Sequence, residues 1–329
     1  MTTDDLRFTW GRAVEPLVNL FTMRLPAFFK LVRFPNLAIV ALTQYLLQYL
    51  VLLPALREAG LSPILDSFHF FLLVITTVLI AAGGYLINDL LDYDSDLINK
   101  PEAVFVNRVF PMKLVWFFYG AITLTGFAIA WYLALYVENL SLVLIYPTAV
   151  FLLYFYSKKL KKMPLWGNVV VAIFCAFVAG VVLFADRENF SLLEGQGEEV
   201  GVLFGGYLLF AFLSTLLREI VKDIEDMEGD ARLGLHTLPL RYGVKTAKKW
   251  AIGVGVMLLF SLLIFVNWLW QRSEQVSALF TIWGVGLPVV YALFFIKNSA
   301  SKADYSKTSL LAKLIMLSGL VLLVVCKFA

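Results

Sequence analysis

The chain has 329 residues, of which 60% are hydrophobic and 16% are charged, with a formal net charge of +3. A soluble globular domain carries about 25% charged residues, so this composition excludes an ordinary soluble domain and indicates a polytopic membrane protein. With only two cysteines and two histidines, a disulfide framework, a zinc site or a histidine-ligated haem has little to build on.

The segment before the first apolar run, residues 1–33, mixes basic and aromatic side chains, among them Arg7, Arg12, Trp10 and Phe21. This mixture predicts an interfacial amphipathic helix on the membrane surface. Its acidic start and the absence of a small-residue cleavage site argue against a signal peptide. We expect it to precede a transmembrane domain that occupies residues 34–329.

Nine apolar runs follow, each long enough to cross about 30 Å of hydrocarbon. They predict an all-α fold with nine transmembrane helices. We place them at residues 34–53, 68–91, 114–137, 140–156, 168–185, 200–219, 250–270, 276–296 and 310–326. The longest connection between them, residues 218–249, is expected to cover a site.

Basic residues are distributed asymmetrically over the connections. All but four of the 27 Lys and Arg lie before the first span or beside the even-numbered connections. The exceptions are Arg57, Arg187, Arg272 and Lys327. Because Lys and Arg accumulate on the cytoplasmic side, we expect a multi-pass protein of the plasma or inner membrane. Its N-terminus would be cytoplasmic and its C-terminus outside.

The second span is followed by the first of two acidic clusters. Asn88, Asp92 and Asp96 stand at i, i+4 and i+8, and four residues turn a helix by about 400°, so their oxygens point to one side. A solvated helix end is the simplest alternative. A calcium loop is excluded because Leu97 and Ala103 stand where an EF-hand has Gly and Glu.

The sixth span is followed by the second acidic cluster. Asp226 and Asp230 repeat the four-residue spacing, and Lys222 stands where Asn88 would. Both clusters follow even-numbered spans, so they lie on the same, cytoplasmic, face. Mg²⁺ takes one or two protein carboxylates and completes its shell with phosphate oxygens and water. Two oxygen-rich helix ends facing one cavity therefore suit two magnesium ions shared with a diphosphate.

A basic and polar set accompanies the clusters on that face. Such residues usually anchor helix ends, but preorganised cations also stabilise a departing diphosphate. The set contains Arg33, Asn36, Lys100, Tyr156, Lys158, Lys159, Lys161, Lys162, Arg218 and Lys222. The lysines at 158–162 could also attract a second, phosphorylated substrate.

The stretch from Arg218 to Asp230, followed by Gly234 and Thr237-Leu238-Pro239, is the most specific in the chain. With the Asn88–Asp96 motif, it resembles the UbiA superfamily of intramembrane prenyltransferases, whose aspartate-rich motifs follow the second and sixth of nine helices. In motif it is most similar to the digeranylgeranylglyceryl phosphate synthase branch. One departure is the sequence 102–108, where a phosphate-contacting arginine of relatives is missing.

The resemblance implies nine helices around a central cavity and Mg²⁺-dependent prenyl transfer from a prenyl diphosphate to a lipophilic acceptor, expected to be geranylgeranylglyceryl phosphate. It implies catalytic metal ligands at Asn88, Asp92, Asp96, Asp226 and Asp230. It implies diphosphate binding by Arg33, Asn36, Lys100, Tyr156, Lys161, Lys222 and Asp223.

Three alternatives stay open at this point. The acceptor could be aromatic, as in quinone pathways, or the enzyme could be a terpene cyclase that needs no acceptor. A cation or proton transporter would also carry intramembrane acids, although these usually lie near the bilayer midplane on broken helices. Apart from membrane lipid, no partner is implied: neither a nucleic acid nor another protein.

Overall fold

The computed structural model describes residues 24–99, 101–193 and 195–328. Within them the backbone contains no strand, and a single β-bridge joins Val106 to Phe110. Nine of the described helices are long and apolar enough to cross a membrane, which confirms the predicted all-α architecture. We number them α1 (Phe34–Glu58), α2 (Ser67–Leu91), α3 (Met112–Tyr136), α4 (Leu140–Lys162), α5 (Trp166–Ala185), α6 (Gly195–Arg232), α7 (Val244–Gln271), α8 (Gln275–Asn298) and α9 (Lys302–Phe328).

Helix α6 is much longer than the predicted span at 200–219. Its 38 residues correspond to about 57 Å, well beyond the hydrocarbon thickness of about 30 Å. The helix continues because Leu217, Ile220 and Ile224 extend its buried stripe past the first charges. The expected long connection at 218–249 is therefore wrong: only residues 233–243 join α6 to α7, and they include the short helix Leu238–Tyr242.

Two helices organise the packing. Helix α2 packs against α1, α3 and α4, whereas α6 packs against α5, α7 and α9. The first half of α1 also contacts α5, and its second half contacts α9, so the two groups of helices meet along α1. We call the end of the bundle at which α2 and α6 end the site face.

The interfacial segment is described only from residue 24 onward, so the predicted helix over residues 1–23 lies outside the described residues. A short helix, Leu25–Leu31, buries Ala27 and Leu31 against the site-face ends of α2 and α3. The Phe28 ring lies 5.4 Å from that of Phe118 on α3. This helix thereby fixes the direction from which the chain enters α1.

On the opposite face, Asp186 joins two connections. Its buried carboxylate accepts hydrogen bonds from the Ile64 amide at 2.8 Å and from Asn189 Nδ2 at 3.1 Å. Burial raises the pKa of this carboxyl above its ordinary value, although both hydrogen bonds act in the other direction. The α1–α2 and α5–α6 connections are held together there, away from the site face.

Candidate active site

The first acidic cluster lies where α2 ends. The helix stops at Leu91, and Asp92 leads into the short helix Tyr93–Asn99. The amide of Asp92 still donates to the Asn88 carbonyl at 2.9 Å, and the amide of Asp96 donates to the Asp92 carbonyl at 2.8 Å. The four-residue spacing therefore persists through the bend. Asp92 is buried, with 5% of its surface exposed, and Asn88 and Asp96 are half-buried.

Asp92 forms an ion pair with Lys161. This lysine lies in the single helical turn Leu160–Lys162, directly before α5. A side chain at Gly167, in the first turn of α5, would place its Cβ 2.8 Å from the Lys161 Cα atom. Because real Cβ atoms essentially never approach another atom that closely, only glycine allows the turn to lie this near α5. Gly167 therefore positions Lys161 beside Asp92.

A second ion pair joins α1 to α2. The Arg33 guanidinium contacts Asp89 at 2.9 Å and lies over the Tyr85 ring, 4.7 Å from its centroid. Arg33 has left-handed backbone torsions, φ 53° and ψ 50°, at the start of α1, which is uncommon for a residue other than glycine. Asn36, three residues on, donates to the Tyr85 hydroxyl at 3.3 Å.

The second acidic cluster lies on the last turns of α6, which continues unbroken through it. Asp223 accepts a hydrogen bond from Nδ2 of Asn168, a buried residue of α5, at 2.9 Å. Asp226 and Asp230 are half-buried on the following turns, and Asp230 interacts electrostatically with Asp223. Lys222 is adjacent to Asp223 and is half-buried as well.

Tyr156 lies near both clusters. It lies on the last turns of α4 and interacts electrostatically with Asp92 of the first cluster and with Asp223 of the second. The short helix Tyr93–Asn99 also packs directly against α6. The clusters predicted to share one face are therefore brought together in one region. The side chains of Arg33 and Lys161 are partly exposed at the site face, so this region is accessible from that end of the bundle.

The donor atoms available here suit a hard cation. In the part of the chain that the structure describes, no three His, Cys, Asp or Glu side chains form a group that could hold a metal ion on their own. The region supplies carboxylate and amide oxygens from Asn88, Asp92, Asp96, Asp226 and Asp230. This set fits Mg²⁺, because that ion uses few protein carboxylates and completes its octahedron with phosphates and water.

The structure separates the lysines at the end of α4 from one another. Lys158 is exposed, with its ammonium 5.5 Å from the Tyr154 ring centroid, and Lys159 is exposed beside Phe155. These arrangements are typical of interfacial lysines, whose stems cover apolar surface while the charge reaches water. Lys161 instead reaches Asp92. The site-face connections meet here, because the His236 amide donates to the Lys162 carbonyl at 3.3 Å.

The connection between α2 and α3 holds two further features singled out from the sequence. Lys100 lies outside the described residues, so its predicted role stays a prediction. The unusual stretch 102–108 ends in an exposed Arg108 whose guanidinium donates to the Pro101 carbonyl of its own loop at 2.5 Å.

Several polar residues of this region were not among the predicted site residues. Asp89 and Asn168 pair with predicted residues, and Glu219 forms a largely buried ion pair with Arg218, a member of the predicted basic set. Lys313, on α9, interacts electrostatically with Arg218, Glu219 and two further α6 residues. The sequence could have pointed to Lys313, because it lies inside the predicted span at 310–326 and ionisable residues at membrane depth usually mark function.

Comparison with known proteins finds one matching family and several relatives of similar length. A model of the UbiA prenyltransferase family matches residues 47–317. The digeranylgeranylglyceryl phosphate synthase of Thermococcus kodakarensis is 32% identical over 255 residues, covering 77% of this chain and 83% of the relative. The synthase of the same name from Sulfurisphaera tokodaii is 30% identical over 304 residues, covering 89% and 97% respectively.

Solved structures share the fold. A digeranylgeranylglyceryl phosphate synthase superimposes with a TM-score of 0.59 at 24% identity, covering 92% of this chain and 97% of the other. A UbiA homolog from Archaeoglobus fulgidus bound to DMAPP and Mg²⁺ gives a TM-score of 0.51 at 18% identity, covering 90% and 99%. At these identities the likeness is one of fold.

The close approach at Gly167 yields a test of how Lys161 is positioned. Gly167→Ala should push the turn Leu160–Lys162 away from α5 and weaken binding of geranylgeranyl diphosphate, measured with Mg²⁺ in nanodiscs, at least about fivefold. Gly253→Ala on α7 is the matched control, because nothing lies within 4 Å of its added Cβ. Equal affinities of the two variants would show that Gly167 does not position Lys161.

Proposed function

The chain belongs to the UbiA prenyltransferase family, and we propose that it transfers a prenyl group from geranylgeranyl diphosphate to geranylgeranylglyceryl phosphate. It is an integral multi-pass membrane protein and a prenyltransferase. Family membership sets aside the transporter alternative. The glycerol-phosphate acceptor is supported by the relatives from Thermococcus kodakarensis and Sulfurisphaera tokodaii, whose name describes synthesis of a digeranylgeranylglyceryl phosphate.

The observation that carries the proposal is the meeting of two oxygen-rich helix ends, since the short helix Tyr93–Asn99, which follows Asp92, packs against α6. Tyr156 lies near Asp92 of the first cluster and Asp223 of the second. Lys161 and Arg33 add positive charge to the same region through their contacts with Asp92 and Asp89. Acidic oxygens and fixed cations together are what a metal-bound diphosphate requires.

In the proposed reaction, the protein residues hold the diphosphate and stabilise its charge as it leaves. Lys161, Arg33 and Lys222 are the cations that would offset the negative charge developing on the leaving group. The allylic carbon–oxygen bond breaks, and the diphosphate leaves with the electron pair. The acceptor hydroxyl oxygen forms the new bond to that carbon, and its proton is taken up by the released diphosphate.

The metal ligands in this proposal are Asn88, Asp92, Asp96, Asp226 and Asp230. When bound, Mg²⁺ would supply Lewis-acid chemistry there and stabilise the negative charge on the leaving diphosphate. The homolog solved with DMAPP and Mg²⁺ supports this choice of cation.

We further propose that the site face is cytoplasmic. The basic residues Arg33, Lys158, Lys159 and Lys162 all lie at this end of the bundle, and Lys and Arg accumulate on the cytoplasmic side of membranes. The N-terminus would then be cytoplasmic and the C-terminus outside, because nine crossings separate them.

The deciding experiment is product analysis with purified protein in nanodiscs. Labelled geranylgeranyl diphosphate and Mg²⁺ are supplied with geranylgeranylglyceryl phosphate, 4-hydroxybenzoate, a dihydroxynaphthoate or no acceptor, and the products are identified by mass spectrometry. We expect a doubly prenylated glyceryl phosphate. Transfer only to an aromatic acceptor, or a cyclised product without acceptor, would replace the acceptor assignment while leaving the diphosphate chemistry in place.

Turnover should require a divalent cation, with Mg²⁺ the most effective, because the proposed ligands are all hard oxygens. Exhaustive chelation should reduce the rate of diphosphate release to background, and added Mg²⁺ should restore it. Full turnover in excess chelator would exclude the metal–diphosphate mechanism.

Two neighbouring aspartates provide a matched pair of variants. Asp92→Asn should lower kcat/KM at least about a hundredfold, because Asp92 is buried beside Lys161 and is a proposed metal ligand. Asp94→Asn should change it by no more than about twofold, because Asp94 is exposed, two residues further on in the short helix Tyr93–Asn99. Comparable losses in both variants would point to a general effect of charge at this helix end.

A further inference from the structure

A cavity opens on the face opposite to the site face, where α1 and α9 end and α6 begins. Its volume is about 150 Å³, whereas a single ordered water molecule needs only about 10–15 Å³. The cavity therefore has room for a small polar group of a ligand. Among the described residues that line it there is no proposed metal ligand and no proposed diphosphate-binding residue, so it is separate from the candidate active site.

The backbone of α1 is irregular beside this cavity. Residues Leu47–Leu52 form a π-helical turn, and the Leu53 amide donates to the Gln48 carbonyl, one residue further back than in an α-helix. Pro54 follows this turn and has no amide hydrogen to donate. Leu50 and Pro54 both line the cavity, so the irregular part of α1 forms one of its walls. Such turns inside α-helices are frequent at functional sites.

The cavity has an apolar floor and a polar rim. The floor includes Leu203 and Leu323, which lie inside the apolar parts of α6 and α9. The rim includes Glu58, the last residue of α1, with Gln196 at the start of α6 and Lys327 at the end of α9. A matching ligand is therefore polar where it meets the rim and apolar where it meets the membrane.

The rim carries two opposite charges that are not paired with each other. With the other described residues, neither Glu58 nor Lys327 forms an ion pair or a side-chain hydrogen bond. Glu199, which also lines the cavity, is instead paired with Arg272. The rim thus presents a carboxylate on the α1 side and an ammonium on the α9 side, and both are available to a ligand.

A zwitterionic headgroup with a primary ammonium complements this rim. In phosphoethanolamine two carbons separate the ammonium nitrogen from the phosphate ester oxygen, so the two charges can reach opposite walls of the cavity. The ammonium has three hydrogen-bond donors, which match the Glu58 carboxylate and the Gln196 side-chain oxygen. The phosphate matches the Lys327 ammonium, and such charge-assisted hydrogen bonds are the strong ones. A choline headgroup has no N–H donor, and a glycerol headgroup has no cation.

The surroundings of the cavity favour a membrane lipid over a soluble zwitterion. Tyr49 on α1 and Val321 on α9 are exposed, and they lie beside the lining residues Leu50 and Leu323. In a membrane-spanning bundle this apolar surface faces hydrocarbon, and aromatic residues such as tyrosine are enriched near the membrane–water interface. Acyl chains can therefore follow α1 and α9 while the headgroup enters the cavity.

We propose that this cavity binds the headgroup of a phosphoethanolamine lipid from the leaflet opposite to the site face. Glu58 and Gln196 bind its ammonium, and Lys327 binds its phosphate. The lipid joins the ends of α1, α6 and α9. It takes no part in prenyl transfer, so the inference is independent of the acceptor.

The test measures lipid binding to the detergent-purified full-length protein by native mass spectrometry. Phosphatidylethanolamine, phosphatidylcholine and phosphatidylglycerol with identical acyl chains are titrated separately, and soluble glycerophosphoethanolamine is added as a competitor. The variants are Glu58→Gln and Lys327→Gln, with Glu138→Gln as the matched control. Glu138 is an exposed acid between α3 and α4, on the same face, and it does not line the cavity.

We expect wild type to bind phosphatidylethanolamine at least about tenfold more tightly than the other two lipids. Glu58→Gln should lower the affinity for phosphatidylethanolamine about tenfold and raise that for phosphatidylglycerol, because a carboxylate that repels its phosphate is removed. Lys327→Gln should weaken binding of all three lipids, since each carries a phosphate. Glu138→Gln should stay within about twofold of wild type. A structural role alone would not give opposite changes for two lipids in one variant.

Other results overturn the inference in distinguishable ways. Equal affinities of wild type for the three lipids would reject a headgroup site. A preference for phosphatidylethanolamine that survives in both Glu58→Gln and Lys327→Gln would place the site elsewhere. An equal loss in Glu138→Gln would reduce the effect to the overall charge of this face. Competition by glycerophosphoethanolamine at concentrations similar to those of the lipid would identify a soluble ligand and reject the lipid.

Discussion

The ion pair between Lys161 and Asp92 is the contact on which the arrangement of the site face depends. Asp92 is buried where α2 ends, and an isolated carboxylate there would be costly. Lys161 neutralises it from a turn that belongs to neither α2 nor α6. The pair therefore joins the first acidic cluster to the start of α5. Through Asn168, α5 in turn contacts the second cluster at Asp223.

The same need to compensate charge explains why the connections on this face are closely packed. Arg33 reaches Asp89 from a left-handed backbone at the start of α1. The turn that carries Lys161 fits against α5 only because Gly167 has no side chain. The positions of Arg33 and Lys161 thus depend on the backbone of the connections that carry them. Substrate affinity should respond to changes in these connections as well as to changes in the ligands.

Helix α6 extends the site in a second direction. Because it remains helical beyond the apolar core, its charged residues keep fixed angular positions instead of forming a loop. Asp223 is thereby held against Asn168 of α5. The same rigid helix packs against the short helix that follows the first cluster, so the second cluster keeps a fixed position beside the first.

The sequence by itself determined the membrane class, the nine helices and the two acidic clusters, because hydrophobic length and four-residue spacing are local properties. The end of α6 predicted from the sequence was wrong. Hydropathy marks where the run of apolar residues ends, whereas buried residues beyond the first charges keep α6 helical further along the chain. Only the tertiary structure decided which cations meet which acids. Lys158 and Lys161 look equivalent in sequence, yet only Lys161 is brought to Asp92. Asn168 and Asp223 are far apart in the chain, and the packing of α5 on α6 joins them by a hydrogen bond. Such pairings depend on helix packing across long separations, which local sequence patterns do not record.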